Sequence, residues 1–124
     1  MGKILVADDN DLFRKTIRRI LEKAGHSVEE ASDGQSVLQL LGRTAFDIVL
    51  LDIVMPGKGG IETLLELNVS NKDVRVIVMT GRIDTGTTAF QTLCRRFKTE
   101  KILTKPFTSK QLLDSVNELL PRKN

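Results

Sequence analysis

Four stretches of this chain put chemically capable side chains at the end of an apolar run. Asp8-Asp9 follows Ile4-Leu5-Val6-Ala7, and Asp52 closes Phe46-Asp47-Ile48-Val49-Leu50-Leu51-Asp52. Thr80 ends Val74-Arg75-Val76-Ile77-Val78-Met79-Thr80, and Lys105 follows Lys101-Ile102-Leu103-Thr104. An ionised carboxylate at the end of a buried run is costly unless a cation, hydrogen bonds or a chemical role stabilises it. Asp8, Asp9 and Asp52 would repel one another when ionised, and a proton or a bound cation relieves that repulsion. Carboxylates with few other ligands suit Mg2+, which prefers oxygen donors and keeps several waters. Lys105 offers a compact positive charge for an anionic oxygen, and Thr80 a hydroxyl able to donate to the same anion. Carboxylates, Mg2+, a lysine and a threonine describe a phosphoryl site, where positioning and charge neutralisation do most of the catalysis. A carboxylate nucleophile in such a site would form an aspartyl phosphate.

These groups meet only if the four runs lie side by side with their carboxyl ends at one edge. The pattern predicts that arrangement. Lys3 to Asp8 reads as a first strand, followed by Leu12, Phe13, Ile17, Ile20, Leu21 and Ala24 at helical spacing, with Gly25 as the stop. Val28 to Ala31 is a short second strand. Ser32 with Gln35 forms a capping-box pattern for a helix carrying Val37, Leu38 and Leu41, ended by Gly42. The Asp52 run is the third strand, and its apolar stretch Ile48-Val49-Leu50-Leu51 fits burial on both faces. Met55-Pro56-Gly57-Lys58-Gly59-Gly60 is too rich in Gly and Pro for regular structure, and Ile61, Leu64 and Leu65 mark a third helix. The Thr80 run is a β-branched fourth strand, and a fourth helix is expected around 88–97. Lys101 to Thr104 is the fifth strand, and Thr108 with Gln111 opens a last helix with Leu112, Leu113, Val116, Leu119 and Leu120, ended by Pro121. Five strands alternating with five helices predict an α/β fold, a parallel sheet covered on both faces, with its ligand crevice at the carboxyl ends of the strands.

Composition narrows the function classes. A chain of 124 residues with 40% hydrophobic and 28% charged residues fits one domain, 1–124, without internal repeat or linker. No apolar run approaches the roughly 20 residues of a membrane span, and no signal-peptide pattern opens the chain. The single Cys94 cannot form an internal disulfide, which points to the cytoplasm, and beside Leu93 and Phe97 it reads as a packed thiol. The lone His26 reads as a surface turn residue. The net charge of +3 is spread out, and Arg14, Lys15, Arg18 and Arg19 are spaced as the solvent side of the first helix. Without Trp or Tyr to stack on bases, nucleic acid is not the expected partner. An acidic residue before a helix also caps it, so one of Asp9, Asn10 or Asp11 is expected at the start of the first helix.

The combination Asp8-Asp9, Asp52 followed by Met55-Pro56-Gly57, Thr80-Gly81 and Lys105-Pro106-Phe107 resembles the receiver domain of two-component response regulators, the CheY-like family. The resemblance covers nearly the whole chain, with the motifs in order. It implies a flavodoxin-like (βα)5 fold, a doubly wound five-stranded sheet in order 2-1-3-4-5 within one three-layer domain. It implies Asp52 as the phospho-acceptor, taking its phosphoryl group from a sensor histidine kinase or a phosphotransfer protein. Asp9 and Asp52 would ligate Mg2+ directly, Asp8 largely through a water, and the backbone carbonyl of Val54 would complete the protein ligands. Thr80 would be the switch hydroxyl and Lys105 the phosphoryl-pairing lysine, with the Lys105-Pro106 bond cis. Such a protein is a signalling switch that assists its own phosphorylation and dephosphorylation, and it acts by changing contacts with a downstream protein or output domain. No output domain is expected within the chain, which has only a few residues after Pro121.

The departures from the family pattern carry their own expectations. The position three before the lysine, often aromatic in the family, is Ile102, so any coupling to Thr80 would be a smaller repacking. Phe97-Lys98-Thr99-Glu100 replaces the usual Ala-Gly-Ala-like turn before the fifth strand. Val54 cannot orient a water through its side chain, and Arg82 could cover the phosphoryl oxygens, so slow self-dephosphorylation is expected. Two alternatives belong to other classes. A phosphorylation-independent interaction module with the same fold would leave Asp52 unmodified by acetyl phosphate and Mg2+. A haloacid-dehalogenase-like phosphatase would usually carry a second Asp two residues after the nucleophile, where this chain has Val54. No Gly-x-Gly-x-x-Gly follows the first strand to suggest a dinucleotide fold.

Overall fold

The apolar runs become five parallel strands: β1 (Lys3–Ala7), β2 (Ser27–Ala31), β3 (Ile48–Asp52), β4 (Arg75–Thr80) and β5 (Thr99–Thr104). They pair in the order β2-β1-β3-β4-β5, as a flavodoxin-like doubly wound sheet requires. The computed structural model describes residues 2–53, 59–60, 62–64, 66, 74–81 and 99–120. The expected helix around 88–97, Cys94, Val54, Arg82 and Pro121 lie outside these residues.

Side-chain alternation along the strands builds two apolar layers. Ile4, Val6, Ile48, Leu50, Ile77 and Met79 point to one face, where Ile17 and Leu21 of α1 (Asp11–Lys23) and Leu112, Val116 and Leu119 of the C-terminal helix (Ser109–Leu119) cover them. Leu5, Ala7, Val49, Leu51, Val76 and Val78 point to the other, beneath Val37 and Leu41 of α2 (Gly34–Arg43) and Leu64. All five residues of β3 are buried, so the central strand has no solvent face. The register places Ala7 opposite both Ala31 and Leu51, Asp52 opposite Met79 and Thr80 opposite Thr104. The strand ends therefore share one edge, with the candidate residues on it.

Local signals account for most boundaries. The side chain of Asn10 accepts from the Phe13 N–H at 2.9 Å and caps α1. Gly25, at φ 99°, ends α1 in a Schellman motif: its N–H donates to Glu22, and that of His26 donates to Leu21. Thr108 and Gln111 form the expected capping box, with bonds of 3.0 and 2.8 Å. Other expectations are corrected. Asp33, not Ser32, caps α2 by accepting from the Ser36 N–H, and α2 runs through Gly42 to Arg43. Gly60, placed by its composition in an irregular turn, is helical, as are residues 62–64 and 66. His26 is buried, not a surface residue, and its Nδ1 accepts from the Gly2 N–H at 3.1 Å. Leu12, placed on the apolar stripe of the first helix, is 78% exposed.

Candidate functional site

Three carboxylates meet at the carboxyl edge of the sheet. One oxygen from each of Asp8, Asp9 and Asp52 lies within 4.8 Å of the others. Asp8 and Asp52 are buried while Asp9 is exposed, so the cluster opens to water on one side. The ammonium of Lys105 reaches into it, with Nζ 2.6 Å from Asp8 Oδ2 and 3.7 Å from Asp52 Oδ1. Three carboxylates facing one ammonium leave a balance that a divalent cation restores. The donors are all oxygen and one side is wet, and both properties suit Mg2+. The residues fit the ion.

The two buried carboxylates, Asp8 and Asp52, are held at their strand ends. The Asp8 N–H donates to the Ala31 carbonyl at 3.1 Å, and Asp8 Oδ1 accepts from the Asn10 N–H at 2.9 Å. Arg14 secures the same residue from behind. Its Nη1 donates to the Asp8 carbonyl at 2.7 Å, its Nε to Glu30 at 2.7 Å and its Nη2 to Asp11 at 2.6 Å. Burial works against the Arg14 charge, and the bonds to Glu30 and Asp11 outweigh it, so its pKa is raised. The charge of Arg14 places it with the solvent side of α1, yet it is buried with Ile17 and Leu21. Its three- and seven-residue spacing from those two carried that signal.

The Asp52 end is closed by backbone contacts. The Ile53 N–H donates to the Met79 carbonyl, and the Gly60 N–H donates to the Ile53 carbonyl, both at 3.1 Å. A Cβ at Gly60 would meet the Asp52 carbonyl oxygen and approach Ile53 Cα to 2.6 Å, so only glycine fits this approach. Thr80 is buried at the end of the adjacent strand, and its hydroxyl donates to the Gly81 carbonyl at 3.1 Å. The Thr80 carbonyl accepts from the Lys105 N–H at 2.7 Å, fixing the start of the Lys105-Pro106 segment, whose peptide bond is cis. The structure thus brings Asp8, Asp9, Asp52 and Lys105 together and sets Thr80 on the neighbouring strand end, while Val54 lies outside the described residues.

The response regulator receiver domain profile matches residues 4–117. The chain belongs to that family. The receiver domain is 33% identical over 129 residues to response regulator MprA of Mycolicibacterium vanbaalenii, covering 97% of this chain and 51% of that protein. It is 32% identical over 127 residues to sporulation initiation phosphotransferase F of Bacillus subtilis, covering 98% of this chain and 96% of that one. Among solved structures, the receiver domain of Francisella response regulator 1452 superposes with a TM-score of 0.87 at 29% identity, covering 96% of each chain. The receiver domain spans about half the length of MprA and nearly all of the Bacillus phosphotransferase. Receiver domains of two-component systems act as signalling switches, typically bind Mg2+ at an acidic pocket, and interact with histidine kinases or phosphotransfer proteins and with downstream effectors. None of the described helices of this receiver domain is long and apolar enough to cross a membrane.

Proposed function

We propose that residues 1–124 act as one phospho-accepting receiver unit, in which Asp52 takes a phosphoryl group from a histidine kinase or phosphotransfer protein. The observation that carries this reading is the cluster itself: Asp8, Asp9 and Asp52 within 4.8 Å, with the Lys105 ammonium between Asp8 and Asp52. Asp9 and Asp52 would hold Mg2+ directly and Asp8 through a water, and the Val54 carbonyl is the remaining ligand the family pattern assigns. An ion held there would supply charge neutralisation for the phosphoryl oxygens.

The residues of the chain do the rest. An Asp52 carboxylate oxygen attacks phosphorus, the new O–P bond forms as the P–N bond of the donor phosphohistidine breaks, and the imidazole leaves with the electron pair. Lys105 turns an N–H donor from Asp8 toward a phosphoryl oxygen, which its ammonium, with three donors and no acceptor, can serve. Thr80 turns its hydroxyl from the Gly81 carbonyl toward the same group. The product on Asp52 adds negative charge and acceptor oxygens at an edge shared by β3, β4 and β5, which biases the adjoining segments toward a second arrangement. Partners are then selected by that arrangement, to the extent that phosphate interacts differently with the two states. Intact-protein mass spectrometry after acetyl phosphate and Mg2+ tests the reading. One phosphoryl increment on the native chain and none on Asp52→Asn is expected; an unmodified native chain, or equal labelling of Asp52→Asn, overturns it.

A further inference from the structure

Lys105 touches more than carboxylates. Its Nζ lies 4.3 Å from the centroid of the Phe13 ring, within the range of a cation–π contact. Phe13 is itself fixed from two sides. Its backbone N–H donates to the capping side chain of Asn10, and its ring meets the Phe107 ring edge-on, with centroids 5.7 Å apart and planes at 80°. Phe107 belongs to the segment that carries Lys105, so the aromatic pair ties the first turn of α1 to that segment. Both rings are partly buried against the layer beneath α1 and the C-terminal helix.

The physical consequence lies in what each contact demands of the ammonium. Asp8 Oδ2 engages an N–H donor at 2.6 Å, and that bond must break before the donor can serve a phosphoryl oxygen. A ring face attracts the positive charge as a whole through its quadrupole and consumes no directed donor. Such a contact can be kept while the ammonium turns. Burial by an aliphatic side chain of similar size would fill the space without that attraction.

We infer that Phe13 is the positioning residue of Lys105, its ring holding the ammonium at the pocket while the N–H donors pass from Asp8 to a phosphoryl oxygen on Asp52. This inference rests on the phospho-acceptor reading, and its test separates the two. In the resting protein with selectively labelled lysine, the Lys105 ε-methylene protons should show a ring-current shift that disappears in Phe13→Leu. With Mg2+ present, the phosphoryl mimic beryllium trifluoride should bind Phe13→Leu about 3- to 10-fold more weakly than the native chain. Replacing Phe13 with pentafluorophenylalanine keeps the ring and reverses the charge of its face, and should weaken binding at least as much. Affinity for the mimic should fall by more than affinity for Mg2+ alone in both variants, because the ring pairs with the lysine and not with the carboxylates. Native affinity for the mimic in the pentafluoro variant, or the absence of a ring-current shift, overturns the inference while the phospho-acceptor reading stands. A native chain that binds no mimic and accepts no phosphate on Asp52 overturns that reading and this inference with it.

Discussion

The β1 side of the crevice and the β4–β5 side are built to different standards. On the β1 side, Asp8 is fixed through its N–H, its carbonyl and both carboxylate oxygens, by Ala31, Arg14, Asn10 and Lys105. On the β4–β5 side, Thr80 donates its hydroxyl to the carbonyl of Gly81, the next residue in its own chain segment. Ile102 is 37% exposed, and β5 buries Leu103 alone. A carboxylate cradle needs fixed geometry before its ligands arrive, because misplaced donors lose most of their effect. A switch needs an element that two arrangements can share, and weakly packed edges supply it.

Removing Arg14 should break the rigid side first. Arg14→Ala leaves the Asp8 carbonyl and the buried part of the Glu30 network without their guanidinium, at a cost of about 3 kcal/mol of stability. Equilibrium urea unfolding measures this, and a titration with Mg2+ should show weaker binding in the same variant. A loss below about 1 kcal/mol would mean that the network is a solvated decoration and that the contrast between the two sides is false. Gly60→Ala comes next. The added methyl must displace backbone at Asp52 and Ile53, which costs about 1–3 kcal/mol, against a helix-propensity gain of about 1 kcal/mol. A net loss near 1 kcal/mol with slower labelling of Asp52 by acetyl phosphate is expected; unchanged stability and labelling would show that the Asp52 end yields easily.

How much of this was legible in the sequence depends on what each signal measures. Asp8, Asp9, Asp52, Thr80 and Lys105 were visible because each ends an apolar run, and parallel strands turn that pattern into one edge. Arg14 was missed because its charge was read as exposure, although it lies three residues before Ile17 on the same stripe. Leu12 failed the opposite way, since apolar chemistry suggested burial at a position the helix turns outward. Ser32 and Asp33 are both good caps one residue apart, and only backbone geometry separates them. The close approach of Gly60 to β3 is long-range, so its glycine could be read only as a turn former. Phe13 was read as part of the apolar stripe, and its partner Lys105 lies too far along the chain for any periodicity to connect them.

Acid should expose the same asymmetry more gently. Burial pushes the Glu30 carboxyl up, but the bonds from Arg18 and Arg14, aided by the charge of Lys15, hold its pKa below the ordinary 4.5. A carboxyl depressed in the folded state contributes stability that is fully present above its unfolded pKa and is lost as pH falls through its folded pKa. The loss attributable to Glu30 therefore begins near pH 4.5 and deepens below it. Glu30→Gln should cost about 1 kcal/mol at neutral pH and flatten the decline below pH 4.5. Parallel slopes for the two proteins in unfolding from pH 6 to 3 would remove Glu30 from the account of the rigid side.

The smallest expected effect sharpens the comparison from the other side. Ile102 lines an open groove of about 390 Å³ with Thr104, Phe107, Gln111 and Asp114. If the β5 edge is as loosely packed as its exposure indicates, Ile102→Ala should change unfolding free energy by no more than about 0.5 kcal/mol, as at other surface positions. A buried isoleucine cut to alanine would cost about 2–5 kcal/mol, so the two cases are well separated. A small loss, with native labelling of Asp52, would show that this edge can rearrange without weakening the cradle. A loss near 2 kcal/mol would mean that Ile102 is closed over in solution, and that the two sides of the crevice are tied with equal strength after all.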